Sequence, residues 1–135
     1  MKTNKISLLL FLITIFATSC TKKVTRIKLV NDCTNYNLGK IQNQASILSG
    51  KEWLIQNVGD VNLKIDKVEL SCDCLKVIYD SVNTIKPNKY LPFRVLVSPE
   101  GTIGDFYREI YIYGNFQDSP LKLTIEGCFV EDKSE

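Results

Sequence analysis

Apolar side chains in this chain fall on alternate residues over short stretches, and turn-forming residues close each stretch. Val61, Leu63 and Ile65 alternate, as do Phe93, Val95 and Val97, and Leu121, Leu123 and Ile125. A period of two puts such a set on one face of a β-strand, whereas a helix needs apolar residues at three- and four-residue spacing. No stretch sustains the helical period with capping residues. Further strands are expected from Arg26 to Val30 and from Leu48 to Gln56, with Trp53 and Ile55 on one face. In another, Phe106, Ile110 and Ile112 face inward and Tyr107, Tyr111 and Tyr113 face the other way. Asn57-Val58-Gly59-Asp60, Lys86-Pro87-Asn88-Lys89 and Ser98-Pro99-Glu100-Gly101 carry turn chemistry. The pattern is that of an all-β antiparallel sandwich. After Ile65 the phase slips, because Val68, Leu70, Cys72 and Cys74 fall on even positions, and a bulge is predicted near Asp66-Lys67.

The first residues read as a targeting element. Lys2 and Lys5 precede a 12-residue apolar run from Ile6 to Ala17, too short for a bilayer core that takes about 20 residues. Ala17-Thr18-Ser19-Cys20 resembles the lipobox of bacterial lipoproteins, which implies cleavage before Cys20 and acylation of its sulfur. Residues 1–19 are then the signal peptide, 20–26 a lipidated polar tether, 27–130 the domain and 131–135 a frayed acidic tail. Removing residues 1–19 takes away two lysines and no acid, so the remaining acidic and basic side chains are equal in number. A neutral surface argues against a nucleic-acid partner.

Six short pieces occur in order: Asn57-Val58-Gly59-Asp60, Leu63-Lys64-Ile65, Ser71-Cys72-Asp73-Cys74, Ile85-Lys86-Pro87-Asn88, Gly104-Asp105-Phe106-Tyr107 and Leu123-Thr124-Ile125-Glu126-Gly127. From about Tyr36 to Val130 this order resembles the DUF1573 family, immunoglobulin-like domains of Bacteroidota lipoproteins and secreted proteins. The resemblance implies an immunoglobulin-like β-sandwich of about seven to eight strands and brings no established activity with it. The chain departs from the family pattern at Asp73, Leu75 and Asn88, where the pattern has glycine, threonine and glycine.

The chain contains no histidine, and its one methionine is Met1. That removes the commonest general base, His-based triads, the usual catalytic zinc ligands and thioether copper sites. No catalytic residue, metal or cofactor is expected. Cys33, Cys72, Cys74 and Cys128 favour disulfides in an exported chain. On an extended strand, Cys72 and Cys74 would stand about 6.6 Å apart with parallel Cβ vectors, so each is expected to seek a separate partner unless the chain bends sharply. The alternatives are a redox pair and a four-thiolate metal site. Cys128 lies out of phase with the apolar positions of its strand and points away from the core. Tyr107, Tyr111 and Tyr113 form an amphipathic stripe suited to sugar or protein contact, or to cross-strand packing. Asp80-Ser81-Val82 resembles a short O-glycosylation acceptor.

The expected function is a non-enzymatic binding or structural module held in the cell envelope by a lipid anchor. The outer membrane is the expected site, at its periplasmic face or the cell surface, with another envelope protein or a glycan as partner. The alternative is a thiol-based redox or metal-handling lipoprotein that uses Cys72 and Cys74.

Overall fold

A computed structural model describes residues 23–31, 33–44, 48–99 and 101–131. The signal segment, Cys20 and residues 132–135 of the tail lie outside them. Eight strands follow in order: β1 (Ile27–Leu29), β2 (Asn35–Gln42), β3 (Ser49–Asn57), β4 (Ile65–Leu70), β5 (Leu75–Ile78), β6 (Tyr90–Val97), β7 (Gly104–Gly114) and β8 (Leu121–Val130). They form two four-stranded sheets of order β1-β3-β6-β5 and β2-β8-β7-β4. This is the strand order of an immunoglobulin-like sandwich whose first strand is split between the sheets. The first half, β1, pairs antiparallel with β3. The second half, β2, crosses to the other sheet while keeping its direction, and therefore meets β8 in parallel.

Period-two patterning sets the packing. Ile55, Phe93 and Val95 from one sheet meet Ile110, Ile112, Leu123 and Ile125 from the other, each at 0% exposure. Phe106 and Phe129 stack with centroids 4.5 Å apart, and the Trp53 indole N–H donates to the Cys33 carbonyl at 2.8 Å. Trp53 and Ile55 share the buried face as predicted. A register irregularity between Ile65 and Lys67 is the bulge that the phase slip requires. The Lys86–Lys89 turn closes with a 3.1 Å bond from Lys89 N to Lys86 O, and Asn88 takes φ 66°, which asparagine tolerates.

The run Val61-Leu63-Ile65 departs from expectation. Leu63 makes only an isolated bridge to Ile85, and strand pairing starts at Ile65. The reason lies at Asn57, a fully buried polar residue. Its amide NH₂ donates to the Val61 and Ile85 carbonyls, each at 2.8 Å. Its side-chain oxygen accepts from the Thr25 hydroxyl at 2.6 Å and the Gly59 N–H at 3.1 Å. Its backbone N–H and C=O bond Lys89 O and Asn88 N at 3.0 and 2.7 Å. The amide thus takes Val61 out of any ladder. Thr25, expected in the free tether, is 2% exposed and belongs to the domain. Gly59 is confined by the same cluster, since a Cβ there would stand 2.1 Å from the Thr25 hydroxyl oxygen.

Asn57→Ala would leave the Thr25 hydroxyl, the Gly59 N–H and the Val61 carbonyl without these partners in the interior, and Ile85 O with only its bond from Leu63 N. The expected loss is about 3–5 kcal/mol, measured from the denaturant midpoint; a loss under about 1 kcal/mol would contradict the cluster's role.

Candidate functional site

Between β4 and β5 the chain passes from one sheet to the other through Ser71-Cys72-Asp73-Cys74. Ser71 docks on β7 from both sides, its N–H donating to Glu109 O at 3.0 Å and its hydroxyl accepting from Glu109 N at 2.9 Å. Ser98 N donates to Cys74 O at 2.8 Å, and Leu75, 6% exposed, anchors the exit in the core. Held at both ends, the segment turns instead of running straight. The Cα atoms of Cys72 and Cys74 come within 5.2 Å, and their sulfurs are bridged. This corrects the expectation of separate partners: the argument from strand geometry fails because these residues are not on a strand. Cys33 and Cys128 carry free thiols. The parallel register sets Asn35 beside Thr124 and Lys40 beside Cys128, so Cys33 and Cys128 lie at opposite ends of the β2–β8 pair.

Arg108 completes this end of the sandwich. It occupies an inward phase of β7, with Phe106 and Ile110, past the point where β4 stops pairing at Leu70. Its Nε donates to Cys74 Sγ at 3.1 Å and a terminal nitrogen donates to Tyr107 O at 3.0 Å. Sequence reading passed over Arg108, although a charged residue at a core phase between two buried apolar positions was the available signal.

Tyr107, Tyr111 and Tyr113 share the outer face of the β2-β8-β7-β4 sheet. The Tyr111 hydroxyl donates to Glu109 at 3.1 Å and that of Tyr113 to Glu69 at 2.9 Å. Lys122 pairs with Glu109, and Lys67 lies 2.5 Å from Glu69 and 4.7 Å from the Tyr113 ring centroid. Hydrogen bonds first from these lysines and then from the tyrosines hold both carboxyls below their ordinary range. These exposed pairs are screened by solvent and contribute little to stability. Tyr111 and Tyr113 are therefore taken up in cross-strand packing, whereas Tyr107 stays 50% exposed.

Beside Tyr107 lies an open concavity of about 540 Å³, lined by Asn37, Gly39, Lys40, Asp105, Glu126 and Cys128 among others. A bulge in β2 makes it. Register shifts between Asn37 and Lys40, Gly39 takes φ 70°, and its N–H donates to the Asn37 side chain at 2.7 Å. A Cβ at Gly127 would meet the Gly39 carbonyl at 2.9 Å, which accounts for glycine there. Cys128 opens onto this hollow, as its phase predicted. Its thiol stands 3.9 Å from Phe129 O, too far for a good bond, and hydrogen bonding to Asp105, then burial, pushes it above the ordinary thiol range. Among the described residues no three His, Cys, Asp or Glu side chains converge as a metal site. Ser81 is exposed in a loop shaped by Asp80, whose carboxylate accepts the Val82 and Asn83 N–H groups at 3.0 and 3.1 Å.

Residues 29–129 match the model of a family described as protein of unknown function DUF1573. The chain belongs to the DUF1573 family. Its recurring pieces here have structural roles: the Asn57 cluster, the bridged Ser71–Cys74 turn, the Pro87 turn and the Gly127 contact. A protein of unknown function from Porphyromonas gingivalis W83 shares the fold with a TM-score of 0.68 at 20% identity, over 85% of this chain and 51% of that one. This chain therefore spans about half of that protein. The Vibrio cholerae VesB protease is similar over 76% of this chain and 32% of its own, with a TM-score of 0.56 at 10% identity. At such identities the likeness concerns fold alone. No curated protein matches the chain.

Asp105→Asn replaces the carboxylate whose hydrogen bond, more than its charge, holds the Cys128 thiol up, so its pKa falls and more thiolate is present at pH near 8. Peptide-resolved alkylation of Cys128 should then run roughly threefold faster or more. An unchanged rate would show that Asp105 does not control this thiol.

Proposed function

We propose that this DUF1573 domain is tethered to an envelope membrane by a lipid on Cys20 and acts as a non-enzymatic binding module. Its contact surface in this reading is the hollow beside Tyr107. The observation that carries it is the pairing of a half-exposed tyrosine with a concavity lined by Lys40, Asp105 and Glu126. An amphipathic ring beside charged and amide groups is the composition of polar recognition surfaces for a glycan or another envelope protein. A full complement of alternating core residues behind it supplies a rigid support.

The tether supports the same arrangement. Thr25 is bonded into the Asn57 end of the sandwich, so five residue steps separate Cys20 from the folded domain, a reach of at most about 18 Å. The domain would then stand close to the bilayer, with its Asn57 end nearest the lipid. Two or three acyl chains, at about 0.8 kcal/mol per buried CH₂, suffice for lasting attachment. The absence of histidine from the chain accords with a role in contact, and no cofactor enters this reading.

Cys20→Ser should move the protein from the detergent-rich to the aqueous phase of a detergent partition. Added back to washed envelopes, the released protein should sediment with them, and Tyr107→Ala should reduce that binding about tenfold or more while leaving its melting temperature unchanged. Aqueous partition of the unaltered protein would sink the anchor; equal binding by the Tyr107→Ala protein would sink the contact surface.

A further inference from the structure

The Cys72–Cys74 bridge is a poor staple. Disulfides stabilise mainly by closing loops in the unfolded chain, and more so for longer loops. This one joins residues two apart, so it closes almost the shortest loop a chain can offer. It links neither the two sheets nor two distant strands. The turn is already held by Ser71 on Glu109, by Ser98 on Cys74 O and by the buried Leu75. Those contacts do not use the sulfurs, so opening the bridge leaves both cysteines in place and close together.

Arg108 is the second observation. Among the described residues it makes no ion pair, although three other salt bridges form on the surface. Its guanidinium is instead directed at Cys74 Sγ, 3.1 Å away, from an inward position of β7. A sulfur within a disulfide is a weak acceptor and a thiolate is a strong one. The contact therefore gains most when the bridge opens and charge collects on Cys74. Both cysteines are only half-buried, so a thiol can reach them. In the register, Val97 faces Ser49 and Leu75 at this end of the sheet, while Asn57 lies eight residue steps away along β3, about 26 Å.

We propose that Cys72 and Cys74 form a thiol–disulfide exchange site for a dithiol reductant, with Arg108 as the positioning cation for the leaving sulfur. One thiolate of the dithiol attacks Cys72 Sγ. The bond to Cys74 Sγ breaks, and its electron pair stays on Cys74 against the Arg108 guanidinium. The second thiol of the reductant, deprotonated, then attacks its own partner sulfur in the mixed disulfide and releases Cys72. The dithiol leaves as a disulfide, oxidised by two electrons, and the protein gains them. One of its protons ends on Cys72 and the other in solvent, with Cys74 retained as thiolate. A lower-pKa leaving thiol departs faster and makes the pair easier to reduce. The site is independent of the contact surface proposed at Tyr107, which is on the outer face of the sheet.

The test uses the full chain, reduced with dithiothreitol at neutral pH, quenched by alkylation and read on the peptide that holds both cysteines. The unaltered protein should be reduced while folded. Arg108→Gln should slow reduction about tenfold and shift the glutathione equilibrium toward the disulfide, and Arg108→Lys should restore most of the rate. Cys72→Ser leaves Cys74 alone and keeps the test open if the Arg108 variants lose their fold. In it, the pH profile of Cys74 alkylation should show thiolate well below pH 8. A bridge reducible only after denaturation, an Arg108→Gln rate equal to the unaltered one, or an ordinary thiol profile at Cys74 would each overturn the proposal.

Discussion

One buried amide organises the lower end of this sandwich. Asn57 has four side-chain hydrogen bonds and two backbone bonds, so its polar groups are satisfied without water in an interior where each unmet one costs about 1–3 kcal/mol. Its partners are the leader into β1, the turn at Gly59, the segment entering β4, and the stretch from Ile85 to Lys89. No apolar residue can bind these four passages, because burial is non-directional and sets no register. The amide determines where β1 begins and why Val61 leaves the ladder. It also determines how the Pro87 turn is seated.

From that end the strands carry position to the other. The apolar alternation of β3, β6, β7 and β8 packs the sheets face to face, and the register places Ser71–Cys74 across the opposite end. There the chain changes sheets, and a turn clamped by Ser71, Ser98 and Leu75 sets two sulfurs beside an arginine. The outer face of the second sheet is a separate region. Its tyrosines and charges are mutually engaged at Tyr111 and Tyr113 and are left open at Tyr107, where the bulge at Gly39 makes a hollow. The fold thus separates three features: an end organised by Asn57, a sulfur end and a wet face.

Much of the fold was legible because alternation reports the buried face directly. Phe93-Val95-Val97 and Leu121-Leu123-Ile125 needed only the period, and the slip after Ile65 revealed the bulge. β2 was not legible: Asn35–Gln42 lies at an edge and alternates between exposed and half-buried, so no fully apolar face marks it. β5 has four residues, too few for a period. Asn57 read as a turn residue, since asparagine favours turns far more often than cores. The cysteine pair was misjudged because two-residue spacing was given strand geometry, and only the tertiary clamps reveal the bend. Arg108 was visible as a misplaced charge, but its meaning depends on which loop covers it. The hollow beside Tyr107 was not readable, because it arises from the backbone of Gly39 meeting Gly127.

Amide hydrogen exchange addresses the organising role of Asn57 most directly. If the buried amide holds this end closed, the Gly59 and Asn88 N–H groups, which bond Asn57 although they lie outside the strands, should exchange as slowly as those of Ile55 and Phe93 in the core. Exchange of Gly59 and Asn88 at the rate of open loops, with the β3 and β6 amides still protected, would contradict the account.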